Sequence, residues 1–257
     1  MPTDIKIGII GGSGMEDPAF ICDYNLKDVS TLYGKPSSKL VVGKISDVPV
    51  VVLSRHGEGH KINPTNVNYR ANLWSLKEEG CTHVLAVTAC GSLRERIGPG
   101  HFIFPDQFID RTVKRNTTYF DGAEVQHVSM GEPFSEGLRA CLVSVCDDLD
   151  FYYHNGGTVV TIEGPRFSTK AESMMFRSWG CDIINMSTVP EICLARELKM
   201  EYQSIAMSTD YDCWRQSEEE VTMEMIFSTM GKNVHNVKKL IEKSIPFINK
   251  TLNRQNK

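Results

Sequence analysis

The amino-acid sequence predicts a single α/β domain over residues 1–257, with a central mixed, largely parallel β-sheet covered by helices. Short β-branched apolar runs alternate with longer segments of helical period, which is typical of this class. No linker, low-complexity tract or repeat interrupts the alternation. With 257 residues, of which 41% are hydrophobic, the chain can bury a large core.

The elements follow in chain order from these patterns. Strands are predicted at 5–10, 40–45 and 50–53, and a helix at 66–79. The predicted helix at 135–149 has Leu138, Leu142, Val145 and Leu149 on one stripe. The other predicted strands lie at 84–88, 102–104, 158–162, 182–186 and 202–207, and the other helices at 170–179, 190–198 and 219–249. Ligands of such sheets collect at the carboxyl ends of the strands, so the residues that follow each strand are the candidates for chemistry.

Charge and composition exclude several classes of function. Lys and Arg number 28 against 32 Asp and Glu, so the net charge of −4 gives no general attraction for nucleic acid. No apolar run is long enough to span a membrane, and the first residues do not resemble a signal peptide. Eight cysteines without a CxxC pair are predicted to be reduced thiols in the core. We expect a cytoplasmic protein, with the nucleus as a second compartment.

Residues 11–14, Gly-Gly-Ser-Gly, follow the first predicted strand. This loop has almost no side chains, so backbone N–H groups and the Ser13 hydroxyl could approach an anion closely. The dinucleotide fingerprint fails because Asp17 stands where its third glycine belongs, which argues against an NAD-dependent oxidoreductase. A plain turn at the end of a strand is the alternative interpretation.

Residues 54–60, Ser-Arg-His-Gly-Glu-Gly-His, follow the next buried strand. The guanidinium of Arg55 and the imidazole of His56 in this glycine-rich setting suit a phosphate. His56 and His60 could also be metal ligands, but the two intervening glycines argue against the helix that such a pair needs. A solvated surface loop is the third alternative.

Two further strand ends carry hydroxyl groups. The sequence Thr-Ala-Cys-Gly-Ser at 88–92 would let a ligand touch the backbone, and Cys90 is predicted to be inert because no cationic neighbour lowers its pKa. Ser187 and Thr188 follow the strand at 182–186 and are predicted to cap the next helix or to bind an anion, two roles that are compatible with each other.

Two other segments have groups suited to a heterocycle. Phe167 follows the strand at 158–162 and is either a core residue or a stacking face. Asp210 and Asp212 are separated by one residue, so on an extended chain both carboxylates point to the same side. Such a pair can bind calcium, accept hydrogen bonds from an amino-heterocycle or hold a proton for general acid catalysis, and a polar turn is the remaining alternative.

In chain order, these motifs together resemble the trimeric purine nucleoside phosphorylase family, and within it the methylthioadenosine phosphorylases. The motifs are Gly-Gly-Ser-Gly, Ser-Arg-His-Gly, Asn-Tyr-Arg-Ala-Asn (68–72), Thr-Ala-Cys-Gly-Ser, Glu-Gly-Pro-Arg-Phe-Ser (163–168), Asn-Met-Ser-Thr-Val-Pro-Glu (185–191) and Ser-Thr-Asp-Tyr-Asp-Cys-Trp (208–214). The resemblance spans about residues 5–240 and implies a nucleoside phosphorylase-like fold.

The resemblance implies phosphorolysis of S-methyl-5′-thioadenosine to adenine and 5-methylthioribose 1-phosphate, as part of purine and methionine salvage. A purine nucleoside phosphorylase that acts mainly on adenosine or 6-oxopurine nucleosides is the alternative, and a non-catalytic nucleoside-binding protein is a third hypothesis. The family works as a homotrimer, with inorganic phosphate as co-substrate and with no metal or organic cofactor. No nucleic acid or membrane partner is implied.

The resemblance also implies roles for individual residues. Asp210 and His56 are the expected catalytic residues, and Asp210 would protonate the leaving purine. The expected phosphate-binding residues are Ser13, Arg55, His56, Thr88, Ala89 and Ser187. The other expected substrate-binding residues are Phe167, Ser168, Met186, Tyr211, Asp212, Met223 and His127, the last reaching the site from a neighbouring subunit. Relatives often have Thr in place of Ser13 and Ser187, and the smaller Val in place of Met223.

Overall fold

The computed structural model describes residues 5–11, 21–215 and 223–255, and these residues form one α/β domain. Its strands are β1 (Ile7–Gly11), β2 (Cys22–Lys27), β3 (Leu40–Ile45), β4 (Val48–Ser54), β5 (His83–Ser92), β6 (Phe102–Phe104), β7 (Gln107–Arg111), β8 (Tyr153–Asn155), β9 (Thr158–Ile162), β10 (Ile183–Asn185) and β11 (Glu201–Asp210). Its α-helices are α1 (Tyr69–Glu78), α2 (Glu136–Leu149), α3 (Lys170–Ser178), α4 (Thr188–Glu197) and α5 (Met223–Gln255).

The strands form one mixed sheet in the order β2-β3-β4-β1-β5-β10-β9-β7. β11 pairs with both β5 and β6, and β8 pairs with β6, outside this path. Strand pairs β1–β4, β1–β5, β5–β11, β6–β8, β7–β9 and β9–β10 are parallel, whereas β2–β3, β3–β4, β5–β10 and β6–β11 are antiparallel. The predicted mixed, largely parallel sheet is therefore confirmed.

The sheet branches at β5, and this branch positions the site. The first half of β5 pairs with β1, whereas its last two residues pair with β10. β11 runs along the opposite edge of β5, so Gly91 faces Ile184 on one side and Asp210 on the other. A Cβ atom on Gly91 would lie 3.0 Å from Ile184 Cγ2 and 3.1 Å from Asp210 Oδ1, so a side chain here would force these neighbours to shift by a few tenths of an ångström.

Hydrophobic clusters on both faces of the sheet attach the helices. Along β1, Ile7 and Ile9 belong to the cluster that contains α2 and α5, whereas Ile10 belongs to the cluster that contains α1 and α4. This alternation follows from the two-residue period of a strand. Each fully buried aliphatic side chain stabilises the fold by about 1.5–3 kcal/mol, and both clusters consist largely of such residues.

The sequence pattern missed three strands and shortened three, of which β4 spans Val48–Ser54 instead of 50–53. β2 is exposed along its whole length, β7 is polar with only half-buried apolar residues, and β8 has three residues, so none has the apolar run that signals a strand. β5 and β11 extend beyond the predicted 84–88 and 202–207 because their polar ends continue to pair with each other. α2 begins as predicted, where the Ser135 hydroxyl accepts a hydrogen bond from the Leu138 N–H.

The cysteines are all free, but they do not all lie in the core. Five are buried, Cys193 and Cys213 are half-buried, and Cys22 is exposed on the outer strand β2. The prediction of core thiols is therefore wrong for Cys22, because the strand that contains it has no buried face. No helix in the described ranges is long and apolar enough to cross a membrane.

Candidate active site

A cavity of about 420 Å³ opens at the carboxyl ends of β5 and β11, beside the segments that follow β4, β9 and β10. Its volume is typical of small-molecule sites. Most of the residues predicted from the sequence line it: Arg55, His56, Thr88, Ala89, Phe167, Ser168, Met186, Ser187, Asp210 and Asp212. The structure thus brings together in one cavity residues from five separate segments of the chain.

Two of the other predicted residues fall outside the part of the chain that the structure describes: Ser13, and Met223, of which only the backbone at the start of α5 is described. His127 lies in an exposed segment and borders a separate surface pocket, so it is not part of the cavity of its own chain. The remaining predicted residue, Tyr211, is not among the residues that line the cavity, and its ring packs at 87° against Trp214. The chain is no longer extended here, since Tyr211 has φ −97° and ψ 20° and Asp212 has φ +49°, so the expectation of strand alternation from Asp210 to Asp212 is wrong.

Arg55 is fixed by a buried carboxylate that the sequence analysis gave no role. Its Nε and Nη2 donate to the two oxygens of Glu191 at 2.5 and 3.0 Å, and its Nη1 donates to the Val87 carbonyl at 2.8 Å. The side chains of Arg55 and Glu191 are 1% and 0% exposed. Burial alone would lower the pKa of Arg55, but the charge of Glu191 outweighs it and raises the pKa. The guanidinium keeps donors that these three bonds do not use.

Tyr202 completes this buried group. Its hydroxyl donates to Glu191 Oε2 at 2.9 Å, so the carboxylate receives hydrogen bonds from both Arg55 and Tyr202. Glu191 lies on α4 and Tyr202 on β11, and both are buried. The available signal was an acidic residue among apolar neighbours in the sequence Pro-Glu-Ile-Cys-Leu-Ala of α4. A buried charge of this kind requires a partner.

His56 is held as a neutral imidazole. Its Nδ1 lies 2.8 Å from the Ile62 carbonyl oxygen, and because a carbonyl only accepts, Nδ1 carries the proton. Burial and the adjacent charge of Arg55 lower the pKa of His56 to about 3. The other ring nitrogen, Nε2, is therefore an acceptor near neutral pH. The His60 ring lies 4.3 Å away, between centroids.

A chain of hydroxyl and amide groups surrounds the anion end of the cavity. Thr88 Oγ1 and Ser187 Oγ are 2.8 Å apart. Behind them, Asn185 Nδ2 donates to Thr188 Oγ1 at 2.7 Å, and the Thr161 hydroxyl donates to Asn185 Oδ1 at 2.9 Å. Ser187 is the N-cap residue of α4, but its side chain makes no capping hydrogen bond. Ser187 thus lacks the predicted capping bond, and it lines the cavity, while its role as an anion ligand stays a prediction.

Asp210 lies at the opposite end of the cavity and is 8% exposed. Burial raises its pKa to about 6, against the stabilising effect of its hydrogen bonds. The Asp212 N–H donates to Asp210 Oδ1 and the Thr209 hydroxyl donates to Oδ2, both at 2.7 Å. This carboxyl group can therefore carry a proton near neutral pH and has a fixed orientation.

Asp212 and Phe167 border the same end of the cavity. The Ser168 hydroxyl lies 3.0 Å from both Asp212 oxygens, and burial raises the pKa of Asp212. Phe167 is half-buried and belongs to none of the three core clusters among the described residues. The alternative of a core role for Phe167 is wrong, because its ring lines the cavity instead.

Arg115 connects the segments around the cavity and was missed by the sequence analysis. Its side chain is 0% exposed and donates to the carbonyl oxygens of Met186 at 2.7 Å, Val189 at 2.6 Å and Glu163 at 2.6 Å. It also donates to the Tyr69 hydroxyl at 3.1 Å. No local signal marks it, because Lys-Arg-Asn-Thr at 114–117 is typical of an exposed turn. Its partners meet only in the tertiary structure.

The arrangement can bind a molecule that has an anion at one end and a planar heterocycle at the other. Arg55, Thr88 and Ser187 supply donors to the anion, whereas Asp210 and Asp212 supply a proton and an acceptor to the heterocycle. Within 5–11, 21–215 and 223–255, no three His, Cys, Asp or Glu side chains are grouped as a metal ion would require. The chemistry that these groups support is therefore acid-assisted transfer of a group between heterocycle and anion.

Comparisons with known proteins agree with this geometry. The family model described as "Phosphorylase superfamily" matches residues 6–246. The chain is 53% identical to S-methyl-5′-thioadenosine phosphorylase of Danio rerio over 251 residues, which cover 96% of this chain and 90% of the relative. It is 52% identical to the protein of the same name from Xenopus tropicalis, over 95% of this chain and 89% of the relative.

Solved structures give the same result. Methylthioadenosine phosphorylase from Schistosoma mansoni in complex with adenine has a TM-score of 0.91 and 43% identity, over 95% of this chain and 92% of the other. A variant of the S. mansoni adenosine/methylthioadenosine phosphorylase in complex with methylthioadenosine has a TM-score of 0.90 and 42% identity, over 95% and 91% of the two chains.

Proposed function

This chain belongs to the phosphorylase superfamily, and from that premise we propose that it cleaves S-methyl-5′-thioadenosine with inorganic phosphate. The products are adenine and 5-methylthioribose 1-phosphate, so the chain is a phosphate-dependent pentosyltransferase. The observation that carries the proposal is the cavity itself, with a fixed arginine at one end and a carboxyl group of raised pKa at the other.

At the anion end, the remaining Arg55 donors and the Thr88 and Ser187 hydroxyls hold phosphate below the anomeric carbon. His56 Nε2 accepts a hydrogen bond from a protonated phosphate oxygen, because the ring is neutral and its Nδ1–H is bound to the Ile62 carbonyl. Phosphate held in this position supplies proximity and a negative charge that stabilises the oxocarbenium-like sugar of the transition state.

At the other end, Asp210 is the general acid. A phosphate oxygen forms a bond to C1′ while the C1′–N9 bond breaks, and the bonding electrons pass into the purine. Asp210 gives its proton to N7, so adenine leaves as a neutral molecule and Asp210 remains as a carboxylate. Such proton transfer contributes typically about 10²–10⁴ in rate. A pKa of about 6 keeps part of the enzyme protonated near neutral pH.

Asp212 determines the choice of base. Its carboxylate accepts a hydrogen bond from the exocyclic 6-amino group, while Ser168 holds it in position and Phe167 stacks on the ring. A 6-oxo group would place an oxygen against this carboxylate and leave both without a donor, which is the kind of mismatch that a polar site rejects most strongly. We therefore expect kcat/KM for inosine to be lower than for methylthioadenosine by about 10³-fold or more.

The first test is release of adenine from methylthioadenosine by the purified protein, with and without inorganic phosphate. We expect release that depends on phosphate and a sugar product with the mass of a methylthioribose phosphate. Release without phosphate would mean a hydrolase and would contradict the anion site. A higher kcat/KM for adenosine than for methylthioadenosine would favour the alternative of an adenosine phosphorylase.

The proposal extends to the assembly and cellular setting. We propose a homotrimer in which His127 of one subunit reaches the cavity of its neighbour, which is consistent with its exposed position and its distance in the fold from the cavity of its own chain. Sedimentation of a fully active monomer would contradict this. Eight free cysteines support a reducing compartment, so we propose the cytoplasm, where the reaction would serve purine and methionine salvage without a cofactor.

A further inference from the structure

The anion end of the cavity has less positive charge than its residues suggest. Arg55 is the basic residue that the sequence marks most clearly, but both oxygens of the buried Glu191 face it. At these distances the two charges compensate each other, so the pair offers hydrogen-bond donors to an anion without a net charge.

Three other ionisable groups of the cavity lining add no positive charge. His56 is neutral because its Nδ1–H donates to the Ile62 carbonyl and Arg55 lies beside it. Asp210 and Asp212 can only add negative charge to the cavity. Together with the Arg55–Glu191 pair, these groups therefore give the cavity no net positive charge to attract a phosphate dianion.

The two internal segments outside the described residues cannot supply a further cation. Residues 12–20 contain Glu16 and Asp17 but no Lys or Arg, and residues 216–222 contain three Glu and no Lys or Arg. The charge must come from the described part of the chain or from outside it.

Lys61 is the Lys or Arg side chain that remains on the described cavity lining besides Arg55. Lys61 directly precedes Ile62, whose carbonyl accepts the hydrogen bond from His56. This contact places Lys61 near the anion end of the cavity. A Cβ atom added to Gly59 would lie 3.6 Å from Lys61 Cε, so the methylene groups of Lys61 pack beside this glycine. Lys61 as a whole remains exposed. None of the ion pairs between described residues involves Lys61.

We propose that Lys61 is a phosphate-binding residue, which captures inorganic phosphate at the cavity mouth and gives the anion end its net positive charge. The inference rests on the proposed phosphorolysis and adds a residue to it. Arg55, Thr88 and Ser187 then orient the anion through hydrogen bonds, whereas Lys61 supplies long-range attraction. Such an exposed charge acts mainly on association and is sensitive to salt.

The test compares Lys61→Gln, Lys61→Arg and the control Lys39→Gln, an exposed lysine outside the cavity lining. Steady-state rates are measured against phosphate concentration at saturating methylthioadenosine, at about 0.02 M and about 0.5 M KCl. We expect Lys61→Gln to raise KM for phosphate about two- to fivefold at low salt, with kcat unchanged. The difference should shrink at high salt, and Lys61→Arg and Lys39→Gln should behave like wild type.

An unchanged KM for phosphate in Lys61→Gln at low salt would overturn the inference, and so would an increase in KM for the nucleoside alone. Equilibrium dialysis with radiolabelled inorganic phosphate separates this result from a failure of the proposed reaction. If the wild type releases no adenine but binds phosphate more tightly than Lys61→Gln, the anion role of Lys61 stands and the proposed reaction is wrong. Equal binding by both proteins refutes the role.

Discussion

At the level of single residues, burial shifts the pKa of Asp210 and that of His56 in opposite directions. The carboxyl group of Asp210 has a pKa raised to about 6, and the imidazole of His56 has a pKa lowered to about 3, in both cases mainly because burial disfavours the charged form. Near neutral pH, His56 therefore has a free lone pair, while part of the Asp210 population still holds a proton. This combination matches the needs of a leaving purine and an entering phosphate.

The substitution Asp210→Asn should separate activity from stability. We expect kcat/KM for methylthioadenosine to fall by about 10²–10⁴, because the amide cannot give a proton to N7. The raised pKa means that the folded protein binds more protons than the unfolded chain between about pH 4 and 6, so ionisation of Asp210 destabilises the fold as pH rises.

The variant should therefore be more stable than wild type at pH 7.5, by an amount that decreases as the pH falls to 5. Thermal unfolding across this pH range, together with adenine release at pH 7.5, checks both parts. Undiminished turnover would exclude Asp210 as the acid, and a stability difference that does not change with pH would contradict the raised pKa.

A buried hydrogen-bonded group in the core consists of Arg55, Glu191 and Tyr202. Glu191→Ala leaves the buried guanidinium of Arg55 without its counter-charge, so we expect a loss of about 3–5 kcal/mol in the free energy of unfolding. Tyr202→Phe removes one hydrogen bond to a charged group and should cost about 1.5–3 kcal/mol. Urea unfolding of both variants is the measurement.

If Glu191→Ala were no less stable than Tyr202→Phe, the ion pair would not be the organising interaction of this group. The milder variant, Tyr202→Phe, also tests whether this group affects phosphate binding. Because Tyr202 reaches the cavity only through Glu191 and Arg55, Tyr202→Phe should change KM for phosphate more than KM for the nucleoside.

At the scale of the element, the branch of the sheet at β5 determines how closely the carboxyl ends of three strands approach. β1 and β10 share one edge of β5, and β11 occupies the other. Gly91 lies at this junction, between Ile184 and Asp210. Because Gly91 has no side chain, only its backbone lies between these two residues. The orientation of the Asp210 carboxyl group thus depends on strand packing as well as on its own hydrogen bonds.

We expect Gly91→Ala to lower kcat/KM for methylthioadenosine roughly tenfold, because the new methyl group displaces Asp210 or Ile184 by a fraction of an ångström. The matched control is Gly122→Ala, where an added Cβ meets no atom within 4 Å. Circular dichroism should show that both variants are folded, and the rates should differ only for Gly91→Ala. Equal rates for the two variants would contradict the close packing at Gly91.

At the scale of the whole molecule, the polar group around Glu163 and Arg115 joins distant parts of the chain. Glu163 accepts hydrogen bonds from the N–H groups of Val113 at 2.6 Å and Lys114 at 2.9 Å, and from the Thr65 hydroxyl at 2.9 Å. Burial alone would raise the pKa of Glu163, but these bonds together with Arg115 lower it to about 2. The fold therefore depends on an ionised carboxylate far along the chain from its partners.

The sign of this pH effect is opposite to that of Asp210. The lowered pKa of Glu163 means that its stabilising contribution is present above about pH 4.5 and is lost as the pH falls towards 2. We expect Glu163→Gln to lower the free energy of unfolding by about 2 kcal/mol at pH 7, and we expect the difference from wild type to narrow as the pH falls below 4. Urea unfolding at pH 7 and at pH 3.5 checks this, and an equal difference at both values would contradict it.

The α/β class, most of the elements and most of the cavity residues could be predicted from the amino-acid sequence. The spacing of apolar residues identified the buried strands and helices, because a buried face recurs at alternate residues of a strand and at each turn of a helix. The strand-end rule then pointed to Arg55, Thr88, Ser187 and Asp210 before any contact was known. The resemblance supplied their roles.

The pairing of Arg55 with Glu191 and the position of Arg115 become visible only in the folded chain. They depend on groups that are far apart in the sequence, and neither residue has a local pattern that identifies its partner. The same holds for the lowered pKa of His56 and the raised pKa of Asp210, because a pKa depends on burial and on neighbouring charges that only folding brings together.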